Sequence, residues 1–355
     1  MSDSLTDIKD SFIEELVLAN AGKPSSLPFI VHEMPEFSLV SEGEVFQVII
    51  IGGTFSISAI VQKNAKSCSV VSQNASTLPG FVNKEDFFLF IEQTVDESVQ
   101  AIALNFAFPI IPVFENGKLD GKLLRGTKGH TFRGVVGSKI GHVIEEFMWE
   151  KKKKKIQVSV ANDTVCLLLS GLEKAPWEKL GAGIVGSGMN FAFYLDQNRL
   201  VNLESADFDK FDQSTTGVEI DRDSANPGKS KYEKEVAGIY LYKHYNLLLR
   251  SKNITSPSVK TTQELDLIAR ESSSEEHKIA KELLERSAKL ISCQMAAIME
   301  YRKTDMVFVM EGSLFWKGYE YKKTVEETLK ELTSYKAEFV EVKDSGIIGA
   351  AHLVM

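Results

Sequence analysis

Seven residues, Val45-Phe46-Gln47-Val48-Ile49-Ile50-Ile51, constrain this chain more than any other stretch. The run is too short to cross a membrane and too uniformly apolar for a half-solvated strand, so it predicts a buried one. Gly52-Gly53-Thr54 interrupts it, and Phe55 to Val61 resumes as a second strand, which together make a β-hairpin with a glycine turn. A second passage has the same grammar. Ala182-Gly183-Ile184-Val185 is a short strand that runs into Gly186-Ser187-Gly188, followed by strands at 191–195 and 200–203. Two halves that each open with a strand and a glycine turn, at 45–61 and 180–195, are what a duplicated mixed-sheet domain looks like.

The remaining elements are read from periodicity. Leu5, Ile8, Phe12 and Leu16 predict an amphipathic helix over 5–20, ended by the Gly-Lys-Pro-Ser-Ser loop. Further helices are expected at 84–95, 138–150, 164–172, 232–248, 274–301 and 324–334, and strands at 68–73, 100–106, 156–161, 306–310 and 338–342. After the strand at 100–106 comes a stretch rich in Pro and Gly, which reads as a loop. The five lysines 151–155 read as a solvated loop or helix end. A chain of 355 residues has room for two domains, because single cores commonly stop growing near ~250–300 residues.

A net charge of −8, spread rather than blocked, argues against nonspecific nucleic-acid binding and fits a protein that handles small ligands. Cys68, Cys166 and Cys293 are far apart and odd in number, forming neither a disulfide framework nor a metal knuckle. A reducing interior is the simplest setting. Met1 to Glu15 is polar and acidic, without the apolar core of a signal peptide, and no run reaches the ~18 apolar residues of a membrane helix. The expected compartment is the cytoplasm, with no membrane insertion, and the sequence names no protein partner.

Three glycine turns follow strands: Gly52-Gly53-Thr54, Gly186-Ser187-Gly188 and Gly312-Ser313. Backbone N–H groups in such turns can approach a triphosphate unobstructed, although any one of them can equally be a plain connection. Phosphoryl transfer also needs a positioned cation and a base for the attacking hydroxyl. Asp163, after the strand Ile156 to Ala161 and beside Asn162, has the place of such a base; helix capping by Asn162 or Asp163 is the competing reading. Glu233 follows Asn226-Pro227-Gly228 and opens a helix whose apolar stripe is Tyr232, Val236, Ile239 and Tyr240. A first-turn glutamate can also simply complement the helix dipole.

Taken in order, these segments resemble the hexokinase family. Val160-Ala161-Asn162-Asp163-Thr164-Val165 is similar to the strand that delivers the family's catalytic aspartate. Gly126-Thr127-Lys128-Gly129 looks like its sugar-binding Trp-Thr-Lys-Gly-Phe, with Gly126 and His130 where Trp and Phe would stand. Gly183 to Asn190 resembles the Gly-Thr-Gly-x-Asn phosphate turn, and Asn202-Leu203-Glu204 the Asn-x-Glu before a sugar contact. The segments Ser224 to Gly228 and Tyr232-Glu233-Lys234 match a sugar-binding stretch. Glu311-Gly312-Ser313 looks like the adenosine-side Gly-Ser, and Asp344-Ser345-Gly346 to Ala351 like the terminal glycine-rich motif. The resemblance runs over nearly the whole chain.

It implies the actin-like, ribonuclease-H-like ATPase fold: two α/β domains around a central cleft. The small domain is expected over residues 42–161 and the large one over 1–41 and 162–343, with 344–355 crossing back to the small domain. It further implies a hexose, glucose above all, surrounded by Thr127, Lys128, Asn162, Asp163, Asn190, Glu204 and Glu233. ATP with Mg²⁺ would lie along Gly52, Gly53, Thr54, Gly186, Ser187, Gly188, Gly312, Ser313 and Gly346. Asp163 would take the proton of the 6-hydroxyl, and Lys128 would stabilise developing charge.

The departures lie on the phosphate side. Ile50 stands where the family has an aspartate that helps organise hydrated Mg²⁺, and Phe55 and Ile57 replace the Asn and Arg after the threonine. Cys166-Leu167 replaces a Gly-Thr pair, and Ala107 stands where a serine is expected. Two readings follow: an ATP-dependent hexose kinase, or a catalytically impaired, sugar-binding regulatory relative.

Overall fold

The computed structural model describes residues 4–65, 67–271 and 274–355. They pack as two compact α/β units. The five-stranded unit comprises Ile30–Ala182, Ala192–Asn202 and Glu341–Met355; the long-helix unit takes the chain up to Phe29, Gly183–Phe191 and Leu203–Val340.

In the five-stranded unit the sheet order is Cys68–Thr77, Phe55–Lys63, Val45–Ile51, Ala101–Phe106, Gln157–Ala161. The first three strands form an antiparallel meander, and the last three run parallel. The Val45–Ile51 run is the central strand, buried from Phe46 onward, which is why its sequence shows no alternation. Its one polar residue is fully used: Gln47 donates to Ser58 Oγ (2.8 Å) and to the Thr94 carbonyl (2.7 Å) and accepts from the Asp96 N–H. At the far edge Cys68–Thr77 is polar and mostly exposed, a composition that discourages edge-to-edge pairing. Beneath the sheet lies an aromatic cluster in which Phe108 meets both Phe106 and Phe132 at 4.9 Å, and Phe81 meets Phe132 at 5.2 Å.

The stretch expected to be loop after Phe106 contains a hairpin, Ile110–Glu115 paired with Lys118–Leu123. Its turn is Asn116-Gly117, both with positive φ (54° and 75°), the conformation that a two-residue hairpin favours. Pro112 hides the strand from sequence reading, since proline counts against one; this strand pairs with a single neighbour and tolerates it.

The second sheet has the order Ile30–Glu33, Arg199–Asn202, Met189–Tyr194, Leu180–Val185, Met306–Glu311, Ala337–Val340. In the long-helix unit the helix Glu275–Arg302 is the central support, its residues from Leu290 to Met299 all buried. Leu5–Asn20 lies on it, opened by a capping box in which Ser4 and Asp7 exchange hydrogen bonds. Two short helices, Thr215–Arg222 and Thr262–Arg270, have no counterpart in the sequence reading.

The helix expected over 232–248 is broken into Lys231–Val236 and Gly238–Ser251. Ala237 adopts an extended backbone (φ −78°, ψ 146°), and the Gly238 N–H turns to the Gly186 carbonyl at 2.8 Å. A Cβ on Gly238 would lie 2.8 Å from that carbonyl oxygen, so the break depends on glycine. Propensity favours continuation; a tertiary hydrogen bond overrides it. No helix among the described residues is long and apolar enough to cross a membrane.

Candidate active site

Within the five-stranded unit the parallel strands align the loops that follow them. Ile51 pairs with Phe106, and Asn105 with Ala161, so Gly52, Ala107 and Asn162 begin side by side at the carboxyl edge of the sheet. That edge is where ligands of open α/β sheets bind. Asn162 caps the helix Asp163–Ser170, its Oδ1 accepting from the Thr164 N–H (2.8 Å). Asp163 is the first residue of that helix, and its Oδ1 accepts from the same N–H at 2.8 Å. Oδ2 carries no hydrogen bond among the described residues. Capping and an available carboxylate oxygen therefore coexist, because the cap is Asn162.

The loop with Thr127 and Lys128 reaches the same edge. The Lys128 stem crosses Gly53, where an added Cβ would lie 2.7 Å from Lys128 Cδ. Its ammonium donates to the Ala107 carbonyl (2.8 Å) and stands 5.7 Å from the Phe108 ring. Thr127 Oγ1 is buried without a partner among the described residues, a group that a ligand hydroxyl could satisfy.

His130 fastens this loop. Nδ1 accepts from the Phe81 N–H (3.1 Å), so Nε2 carries the proton and donates to the Gly53 carbonyl (3.0 Å). From sequence His130 is only a departure from an aromatic position; here it keeps the aromatic packing, 5.2 Å from both Phe81 and Phe108, and adds two hydrogen bonds. His130→Ala leaves a buried N–H and a carbonyl unpaired, each costing about 1–3 kcal/mol, so an expected loss of about 2–6 kcal/mol should appear in urea unfolding.

The long-helix unit gathers a second set. Asn190 Nδ2 donates to Glu204 Oε1 (3.4 Å), and Asn190 Oδ1 accepts from the Ser205 N–H (3.3 Å). Glu233 Oε1 lies 2.9 Å from where a Cβ on Gly188 would be, so the glycine turn and the carboxylate touch. Burial pushes the Glu233 carboxyl up to about 7; a hydrogen bond from the Met189 backbone opposes this, and the charges of Glu204 and Asp207 add to it.

The segment that presents Glu233 is anchored from beneath. Lys234 is fully buried, its ammonium held by Asp221 (2.6 Å) and the carbonyls of Asn226 (2.9 Å) and Lys229 (2.8 Å). Three acceptors match three ammonium protons, so the Asn-Pro-Gly loop is tied to the helix it precedes. Glu235 is tied in the opposite direction, to Arg286 (2.6 Å) and to Ser214. Neither role was apparent from spacing.

The remaining glycine turns of this unit meet one another. A Cβ on Gly186 would sit 3.3 Å from Gly312 Cα, and one on Gly312 (φ 114°) would collide with the Val185 carbonyl. Beside them Ile184, Ser187, Ile239, Thr262, Asp266, Leu267, Ser313 and Lys317 line a cavity of about 810 Å³, within the range of sites for nucleoside-sized ligands. The helix Thr262–Arg270, which the sequence reading left out, supplies one wall.

Ile50 and Gly346 also meet. A Cβ on Gly346 would lie 2.9 Å from Ile50 Cδ1 and 3.2 Å from Asn105 Nδ2. Ile50 is 9% exposed, and its aliphatic chain offers no acceptor at this edge. Among the described residues no group of three or more His, Cys, Asp or Glu could hold a metal ion.

Sequence models of the hexokinase family match residues 2–172 and 250–355. The chain is 24% identical to the hexokinase of Kluyveromyces lactis over 430 aligned positions, covering 99% of this chain and 88% of that protein. A hexokinase from Schistosoma mansoni, solved in complex with glucose, superposes with a TM-score of 0.78 at 19% identity, covering 99% of this chain and 94% of the other. A ROK family glucokinase from Streptomyces griseus, solved with glucose and AMPPNP, gives a TM-score of 0.56 at 13% identity, with 88% and 99% covered.

Proposed function

Because the chain belongs to the hexokinase family, whose members are sugar kinases that use an alcohol acceptor, we propose that it transfers the γ-phosphoryl group of ATP to the 6-hydroxyl of a glucose-like hexose, with Asp163 as the general base. The fold is the hexokinase form of the actin-like, ribonuclease-H-like ATPase fold. The observation that carries the proposal is the register of the parallel strands, which sets Asn162-Asp163 on the same sheet edge as Gly52-Gly53-Thr54. Acceptor activation and phosphate contact need that proximity.

In this reading, which follows the family resemblance, Thr127, Lys128, Asn162, Asp163, Asn190, Glu204 and Glu233 hold the sugar hydroxyls. A hexose presents several groups that both donate and accept, so carboxylates, amides and an ammonium fix one orientation. Asp163 Oδ2 takes the proton of the 6-hydroxyl, and Lys128 Nζ exchanges the Ala107 carbonyl for developing negative charge. In this reading the nucleoside takes the 810 Å³ cavity beside Gly186, Ser187, Gly312 and Ser313, and Gly188, Gly52, Gly53, Thr54 and Gly346 are the further phosphate contacts that the family resemblance implies. As functional halves we propose 42–161 with 344–355 against 1–41 with 162–343, working in the cytoplasm.

Mg²⁺ is implied by the family, and the residues present fit it modestly. The buried Asn105 Oδ1, which has no hydrogen-bond partner among the described residues, is an oxygen of this edge that would meet the hydration shell of an ion brought by the nucleotide. When bound, such an ion neutralises charge on the phosphates.

Ile50 favours a second reading, a sugar-binding regulatory relative with impaired transfer, since this position contributes no acceptor. A coupled sugar-phosphate assay with ATP, Mg²⁺ and a panel of hexoses decides between them. Hexose-dependent turnover supports the kinase; hexose binding in calorimetry without turnover supports the regulatory relative, and Ile50→Asp should then raise activity from that floor.

A further inference from the structure

The central sheet of the five-stranded unit places an unexplained polar group beside Ile50. Ile50 pairs with Asn105 across the parallel strands, and Asn105 pairs in turn with Ala161. Register partners leave the sheet on the same face, so Ile50, Asn105 and Ala161 form one row that ends two residues before Asp163. Gly346 lies over both Ile50 and Asn105, within van der Waals reach of each.

Asn105 is 4% exposed in an otherwise apolar strand, Ala-Ile-Ala-Leu-Asn-Phe. Asparagine is a poor strand former, and no gain in sheet stability accounts for it. Its amide orientation is set by a neighbour: Nδ2 donates to the Gly346 carbonyl (3.4 Å), an oxygen that can only accept. The side-chain oxygen is thereby left over, and Oδ1 is buried with no partner among the described residues. Native proteins rarely leave a buried acceptor in that state, so Oδ1 is available to a hydrogen-bond donor from outside the chain.

Resting on the kinase reading, we propose that the Asn105 carboxamide is the acceptor for the hydrated divalent cation of the bound nucleotide, supplying from the neighbouring strand the oxygen that Ile50 does not. Mg²⁺ keeps several of its waters when it binds proteins, and those waters donate hydrogen bonds. A neutral amide oxygen accepts one of them without the charge attraction of a carboxylate. The ion is then held chiefly by the nucleotide phosphates, and its contribution to affinity is smaller than a carboxylate would give.

The test reads binding rather than turnover: ADP affinity by calorimetry in the presence of Mg²⁺ and of chelator, for the wild type, Asn105→Leu, Asn105→Ala and Asn105→Asp. In the wild type Mg²⁺ is expected to tighten ADP binding. In Asn105→Leu and Asn105→Ala that enhancement should fall by about fivefold to tenfold, the loss of roughly one ordinary hydrogen bond, while metal-free affinity stays level. Asn105→Asp should enlarge the enhancement. Thermal melts check folding, and Asn105→Leu, which removes the orphaned oxygen, should melt no lower than the wild type. An undiminished Mg²⁺ enhancement in both apolar variants overturns the assignment of Asn105 and leaves the kinase reading standing. A wild type that binds no ADP under either condition overturns both.

Discussion

Asp163→Asn should lower hexose-dependent turnover by about 10²–10⁴-fold, the usual worth of a positioned general base. The change is nearly isosteric. The amide oxygen can keep the bond from the Thr164 N–H that Oδ1 now accepts at 2.8 Å, and the cap of the helix belongs to Asn162 rather than to Asp163. Stability should therefore move by well under the roughly 1 kcal/mol that loss of a helix cap costs. The amide can still accept a sugar hydroxyl's hydrogen bond, so hexose affinity should change far less than kcat. Asp163→Ala should be as inactive and should also lose some hexose affinity, because its sugar contact disappears. The combination is diagnostic: kcat collapses in both variants, while hexose Kd separates them. A coupled assay and calorimetry on the same preparations measure it. If Asp163→Asn keeps turnover within a few-fold of wild type, proton abstraction lies elsewhere and the assignment of Asp163 fails.

The legible parts of this chain share a physical cause. Val45–Ile51 announces itself because a strand covered on both faces must be apolar throughout. The long helix Glu275–Arg302 does so because its buried face repeats over many turns. Asn162-Asp163 is legible as a strand-to-helix junction, and the glycine turns are legible as turns. What they join is not. The break at Ala237 depends on the Gly186 carbonyl, a partner far away in sequence, and no local window contains it. The hairpin at Ile110–Leu123 was concealed by Pro112 despite a favourable Asn116-Gly117 turn. Lys234 reads as one lysine among many on a helix, yet it is buried and holds together the loop that precedes Glu233. Ile50 is visible from sequence as an exchanged residue, but its neighbour Asn105 emerges only from strand register. Side-chain types survive in the one-dimensional text; adjacency between distant strands does not.

Hexose binding near neutral pH should release a proton, and Glu233 should be its source. In the free protein burial, with Glu204 and Asp207 nearby, raises this carboxyl to about 7, so at that pH roughly half the molecules carry it protonated. The folded state thus holds the proton more tightly than the unfolded chain does. By linkage this group makes the free protein less stable as pH rises from about 4.5 to about 7, with no further change above that window. Sugar hydroxyls that donate to Glu233 favour the carboxylate and pull its pKa down, so hexose both expels the proton and offsets the lost stability. Apparent affinity should accordingly rise with pH, by nearly tenfold per unit below about 7 and levelling off above it. Calorimetry at pH 7 in phosphate and in Tris reads the proton directly, because the apparent binding enthalpy should differ by up to about half the difference between the two buffers' ionisation enthalpies. Glu233→Gln should abolish both the buffer dependence and the pH dependence, with hexose bound about tenfold to a hundredfold more weakly, as expected when a hydrogen bond to a charged group is lost. Identical heats in the two buffers would mean either that Glu233 is already ionised in the free protein or that no sugar hydroxyl reaches it. The Gln variant separates these: weakened binding keeps Glu233 in the sugar site, and unchanged binding removes it.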